Sequence, residues 1–127
     1  MPEAAVSGPF VVLLVDDEAQ VRNLLRQLLV RDGTYHVLTA SSGEEALKIA
    51  RQFPDTIDIL ITDIDMRPLN GIDLYRQIRE ERPDIRVLFI SGKAEGFRTA
   101  LPEAPLLEKP FPLKKFVATV RDVLGQK

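Results

Sequence analysis

Ile57-Asp58-Ile59-Leu60-Ile61-Thr62-Asp63 is an apolar, strand-like run that ends on a carboxylate, and a turn-rich stretch, Met66-Arg67-Pro68-Leu69-Asn70-Gly71, follows at once. An aspartate has no packing reason to sit at the tip of a buried strand. Open α/β sheets bind their ligands at the carboxyl ends of their strands. Two other strand-like runs end in the same way. Asp16-Asp17 follows Val11-Val12-Leu13-Leu14-Val15, and Lys109 follows Leu106-Leu107 just after Glu108.

Outward from these runs the chain alternates between strand and helix patterns. Phe10–Val15 is continuously apolar, as a strand buried on both faces must be. Val21, Leu24, Leu25, Leu28 and Leu29 recur at helical spacing and predict one apolar face on a helix over 19–31. Tyr35–Ala40 reads as the second strand. Ser42-Gly43-Glu44-Glu45 reads as a capping box that opens a helix to about Phe53, closed by Pro54. The third strand spans Ile57–Thr62. Asn70 caps a helix to about Glu81 with Leu74, Tyr75 and Ile78 inward. Arg86–Ile90 is the fourth strand, and Lys93–Leu101 is a short helix candidate weakened by Gly96. A brief fifth strand over Pro105–Glu108 precedes a helix over Pro112–Leu124, with Leu113, Phe116, Val117, Val120 and Leu124 apolar.

Strands that alternate with helices through short loops imply right-handed crossovers and a parallel sheet covered on both faces. The expected fold is α/β, a doubly wound five-stranded parallel sheet with a short or irregular helix over 93–101. The strand order 2-1-3-4-5 is taken from that fold class. Residues 1–9 read as a flexible tail and 10–125 as one domain.

Composition narrows the function classes. The chain has 127 residues, with 17 Lys and Arg against 19 Asp and Glu. That balance gives no argument for nucleic acid or an anionic membrane. No apolar run approaches the ~20 residues of a membrane span, and no signal-peptide pattern is present. There is no cysteine, so disulfides and thiolate sites are excluded. The expected location is cytoplasmic. The one histidine, His36, sits in a strand pattern with no motif around it and reads as a strand residue, not a base.

With strands 1 and 3 adjacent, Asp16, Asp17 and Asp63 fall side by side. Clustered carboxylates repel, and each raises the pKa of its neighbours. A hard divalent cation relieves that repulsion, and an all-oxygen ligand set favours Mg²⁺. Such an ion keeps waters and takes a phosphoryl oxygen, so a phosphate-bearing ligand is expected. Ser91 and Lys109, at the ends of strands 4 and 5, face the same edge. A hydroxyl and an ammonium there can hold further phosphoryl oxygens. No Gly-rich phosphate loop is present. The nucleophile left is a carboxylate, and its product would be an aspartyl phosphate.

Val15-Asp16-Asp17-Glu18, Thr62-Asp63-Ile64-Asp65-Met66, Asn70-Gly71, Ile90-Ser91-Gly92 and Glu108-Lys109-Pro110-Phe111 together resemble a response-regulator receiver domain, of flavodoxin-like (βα)5 fold, over about residues 10–124. The resemblance implies phosphoryl transfer to Asp63 from a phosphohistidine on a histidine kinase or phosphotransfer protein in two-component signalling. It implies Mg²⁺ held by Asp16, Asp17, Asp63 and the main-chain carbonyl of Asp65. Ser91 would bond the phosphoryl group, Lys109 would pair with it, and Lys109-Pro110 would be cis. It also implies a switch that is not a turnover enzyme, stand-alone or taken from a hybrid kinase, and a monomer or weak dimer.

The chain departs from the family pattern in several places. Arg67 intervenes before Pro68, and Leu106 occupies the position of the usual aromatic switch. The stretch from Ser91 to Lys109 is short, which implies an output that does not use the common switch and symmetric dimer. Asp65 and Lys93, two residues after Asp63 and Ser91, are expected to pair across the site. Two competing readings carry less of the chain. A haloacid-dehalogenase-like phosphatase would use Asp63 and Asp65, but its motif belongs on the first strand and its acidic pair comes last. A degenerate docking module would not need Asp63, Asp17 and Lys109.

Overall fold

The apolar runs pair into a parallel sheet because each can bury side chains on both faces. The computed structural model describes residues 9–33, 35–92 and 104–125. Its strands are β1 (Phe10–Val15), β2 (Tyr35–Ala40), β3 (Ile59–Asp63), β4 (Arg86–Ser91) and β5 (Leu106–Glu108). Its helices are α1 (Ala19–Asp32), α2 (Gly43–Gln52), α3 (Gly71–Glu81) and α4 (Leu113–Leu124). The sheet has the expected order β2-β1-β3-β4-β5, and every neighbouring pair is parallel. The tail expected at the N-terminus, apart from Pro9, and the helix candidate Lys93–Leu101 lie outside the described residues. Among the described residues no helix is long and apolar enough to cross a membrane.

Side chains alternate across each strand, so one run of sequence feeds two cores. Leu13, Val15, Leu60 and Phe89 meet Ala46 and Ala50 of α2 and Leu74 and Ile78 of α3. Val12, Leu14, Ile59, Ile61, Leu88 and Ile90 meet Leu25 and Leu29 of α1 and Phe116 and Val120 of α4. β3 lies at the centre and is buried along its whole length. Each fully buried Leu or Ile there contributes about 1.5–3 kcal/mol.

Several expectations are corrected. Leu24 was placed on the inner face of α1 but is 42% exposed. It is next in sequence to Leu25 and so lies about 100° around the helix from it. Burying Leu25 with Leu29 turns Leu24 outward. Leu113, one of the apolar residues of the last helix, is 45% exposed on the first turn of α4. β3 starts at Ile59 rather than Ile57 and ends on Asp63 itself. Just before it, the Asp58 Oδ2 accepts from the Val11 N–H at 2.7 Å, while the Asp58 backbone donates to the Val11 carbonyl and accepts from the Arg86 N–H. The box at α2 closes one residue early. Ser42 Oγ accepts from the Glu45 N–H at 3.1 Å, but the Glu45 carboxylate returns to the N–H and hydroxyl of Ser41. Asn70 caps α3 as expected, accepting from the Asp73 N–H at 2.9 Å.

Candidate functional site

The register brings the strand tips together. Val15 pairs with Thr62, so Asp16 follows on β1 where Asp63 ends β3. Asp63 in turn pairs with Ile90, and Ser91 with Glu108. One carboxylate oxygen from each of Asp16, Asp17 and Asp63 lies within 4.8 Å of the other two. Asp16 is 1% exposed and Asp63 4%, while Asp17 faces solvent. The sequence-predicted trio is therefore a physical cluster, with two members buried and one at the rim.

Each buried carboxylate has one oxygen engaged by backbone. Asp16 Oδ1 accepts from the Glu18 N–H at 2.8 Å, and Asp63 Oδ1 accepts from the Asp65 N–H at 3.0 Å. Asp63 Oδ2 lies 3.5 Å from Lys109 Nζ. Asp16 Oδ2 is buried and has no hydrogen-bond partner. An unsatisfied buried carboxylate oxygen costs desolvation energy and is rare unless something else binds it. Hard cations bind oxygen donors of this kind, so the residues present fit a Mg²⁺ site.

The electrostatics follow from burial. Desolvation pushes the Asp16 carboxyl up to about 6, against the Glu18 N–H and with help from the Asp63 charge. Burial also raises Asp63, opposed by the Asp65 N–H and by Lys109. Burial works to lower Lys109, but Asp63, Asp16 and Glu18 outweigh it and hold the ammonium above its ordinary value. The site thus has costly buried acids and one firmly protonated cation.

The backbone around Asp63 is tightly set. The Ile64 N–H donates to the Ile90 carbonyl at 2.9 Å, and the Gly71 N–H donates to the Ile64 carbonyl at 3.1 Å. A Cβ on Gly71 would lie 2.3 Å from the Asp63 carbonyl oxygen, so only glycine allows α3 to start there. Arg67 is accommodated as an exposed loop residue, and Gly71 keeps its place. Lys109-Pro110 is cis, as the resemblance implies; Arg67-Pro68 is cis as well, which the sequence did not suggest. The Lys109 N–H donates to the Ser91 carbonyl at 2.9 Å, which ties the lysine loop to the end of β4. Leu106 begins β5 half-buried, packed on the core that α2 and α3 cover.

Ser91 is fully buried, and its hydroxyl donates to Asp65 Oδ2 at 3.0 Å. The sequence suggested Lys93 as the partner of Asp65; Lys93 lies outside the described residues. Three contributors were missed. Glu18 reaches Lys109 at 3.7 Å, Arg22 Nη1 donates to the Asp16 carbonyl at 2.8 Å, and Thr62 Oγ1 donates to the Asp63 carbonyl at 2.9 Å. All three lie within six positions of an acidic residue of the cluster, but sequence distance alone did not distinguish them from solvated neighbours.

Comparisons with known proteins agree with this fold. The family model of the response regulator receiver domain matches residues 12–121. The chain is 40% identical over 124 residues to the sensor kinase CckA of Brucella abortus, covering 94% of this chain and 13% of that kinase. It is 32% identical over 117 residues to the response regulator receiver protein CpdR of the same organism, covering 89% of this chain and 95% of CpdR. A crystal structure of a response regulator receiver domain protein from Clostridium thermocellum superposes with a TM-score of 0.81 at 30% identity, covering 91% of this chain and 94% of that one. Some matched relatives are longer: the chain spans 48% of the Bacillus subtilis transcriptional regulatory protein PhoP.

Proposed function

This chain belongs to the response regulator receiver domain family, and from that premise we propose that it accepts a phosphoryl group on Asp63 from a phosphohistidine of a histidine kinase or phosphotransfer protein. The observation that carries the reading is the trio of Asp16, Asp17 and Asp63, with Lys109 Nζ 3.5 Å from the Asp63 carboxylate. In the transfer, an Asp63 carboxylate oxygen attacks phosphorus. The new O–P bond forms as the N–P bond of the donor breaks, and the departing imidazole nitrogen keeps the electron pair and takes a proton from solvent. Lys109 neutralises charge on the transferred group, and Ser91 supplies a hydroxyl donor to it. Asp16, Asp17, Asp63 and the main-chain carbonyl of Asp65 would hold Mg²⁺, which when bound supplies charge neutralisation at the phosphoryl oxygens.

The product is a modified state of the protein, so the chain is a switch and not a turnover enzyme. Gln20, Asn23 and Gln27 are exposed along α1 and, with the Lys109–Phe111 loop, form the proposed partner surface. Incubation with acetyl phosphate and Mg²⁺ should label the chain by one phosphoryl mass, read by intact mass spectrometry. Asp63→Asn should take no label. Equal labelling of the variant would remove Asp63 from the reaction.

A further inference from the structure

The hydrogen bond from Ser91 Oγ to Asp65 Oδ2 has no role in the transfer just described. A serine hydroxyl has one proton to donate. While that proton points to Asp65, it is not available to an oxyanion on Asp63. Asp65 also touches the phosphoacceptor directly, because its N–H donates to Asp63 Oδ1 at 3.0 Å. One residue therefore contacts both the group to be modified, through its backbone, and the hydroxyl that answers the modification, through its side chain. Ser91 is fully buried and follows Ile90, whose carbonyl accepts from the Ile64 N–H at 2.9 Å. The serine main chain is thus pinned, and re-aiming the hydroxyl is a side-chain rotation that must first leave Asp65.

We propose that Asp65 is a positioning residue that latches the Ser91 hydroxyl away from Asp63 in the unphosphorylated protein. Releasing the latch is part of the cost of phosphorylation, so Asp65 sets how strongly the site holds an acyl phosphate. This rests on the reading of Asp63 as phosphoacceptor. The Asp65 carboxylate also opposes an incoming oxyanion by simple charge. That second effect does not pass through Ser91, and this separates the two.

The test is a double-mutant cycle in beryllofluoride affinity, measured by calorimetry in excess Mg²⁺ on the wild type, Asp65→Ala, Ser91→Ala and the double variant. A hydrogen bond to a carboxylate is worth enough that Asp65→Ala should tighten binding about tenfold when Ser91 is present. In the Ser91→Ala background the same change should tighten it only about twofold, the residue of an exposed charge. Asp65→Asn keeps the side-chain shape and one acceptor oxygen, and should fall between wild type and Asp65→Ala. It also guards against a folding defect in the alanine variant. Equal effects of Asp65→Ala in both backgrounds, or weaker binding with Ser91 present, would overturn the latch. Wild-type protein that neither binds beryllofluoride nor takes label from acetyl phosphate would instead overturn the phosphoacceptor reading, and the latch with it.

Discussion

Asp16→Asn should make the metal-free protein more stable near neutral pH. Asp16 is 1% exposed, and its carboxyl is pushed from 3.8 to about 6, chiefly by burial and further by the Asp63 charge. At about 1.4 kcal/mol per pH unit, that displacement sets a ceiling of about 3 kcal/mol on what the buried charge costs. Asp17 keeps the rim of the cluster in contact with water, so screening brings the expected gain to about 1–2 kcal/mol. The amide keeps an oxygen for the Glu18 N–H and places a donor where Asp16 Oδ2 now has no partner. The sign follows from linkage. A raised folded-state pKa means that the folded protein binds the proton more tightly than the unfolded chain does. The cost is therefore fully present above about pH 6 and is relieved as the pH falls toward the unfolded value. Urea denaturation in the presence of a chelator should show the variant ahead at about pH 7.5, with the gap closing by about pH 4. Adding Mg²⁺ should then stabilise the wild type more than the variant, since binding to the folded state alone adds stability. A variant no more stable than wild type at neutral pH, or a gain that does not change with pH, would refute this account of the buried charge.

Gly71→Ala should cost about 1–3 kcal/mol in urea denaturation, and it should slow labelling of Asp63 by acetyl phosphate. The new methyl would lie 2.3 Å from the Asp63 carbonyl oxygen and must displace it. Unchanged labelling would show that the loop absorbs the methyl elsewhere. Arg82→Met should lose about 2–3 kcal/mol in the same assay with labelling unaffected. Its guanidinium donates to the carbonyls of Ala50, Phe53 and Asp55, at the end of the sheet opposite the carboxylates. A drop in labelling at full folding would mean that the two ends of the sheet are coupled.

Much of this architecture was legible in the chain because its strands are apolar on both faces, and only a sheet with two covered faces buries such runs. The helices were readable from caps and spacing, as Asn70 and Ser42 show. Misreadings came where one helical repeat fits two faces. Leu24 and Leu25 both belong to the apolar series of α1, and only packing against the sheet selects Leu25. The bond from Ser91 to Asp65 was out of reach for another reason. It depends on where two strand ends stop relative to each other, which residue spacing does not encode.

The sequence by itself marked out the residues proposed to carry the chemistry. Acids, a hydroxyl and an ammonium at the tips of apolar strands have no packing purpose, and their types and order were enough to identify the trio, Ser91 and Lys109. Tertiary structure alone decided their energetic state. Whether a carboxylate is buried, which of its oxygens meets an N–H and which is left bare are set by strand register and loop path. Those in turn decide that Asp16 is raised to about 6, that Asp17 faces water and that Ser91 points at Asp65. Residue type specifies a charge, but desolvation and hydrogen bonding depend on neighbours that only the folded chain brings together.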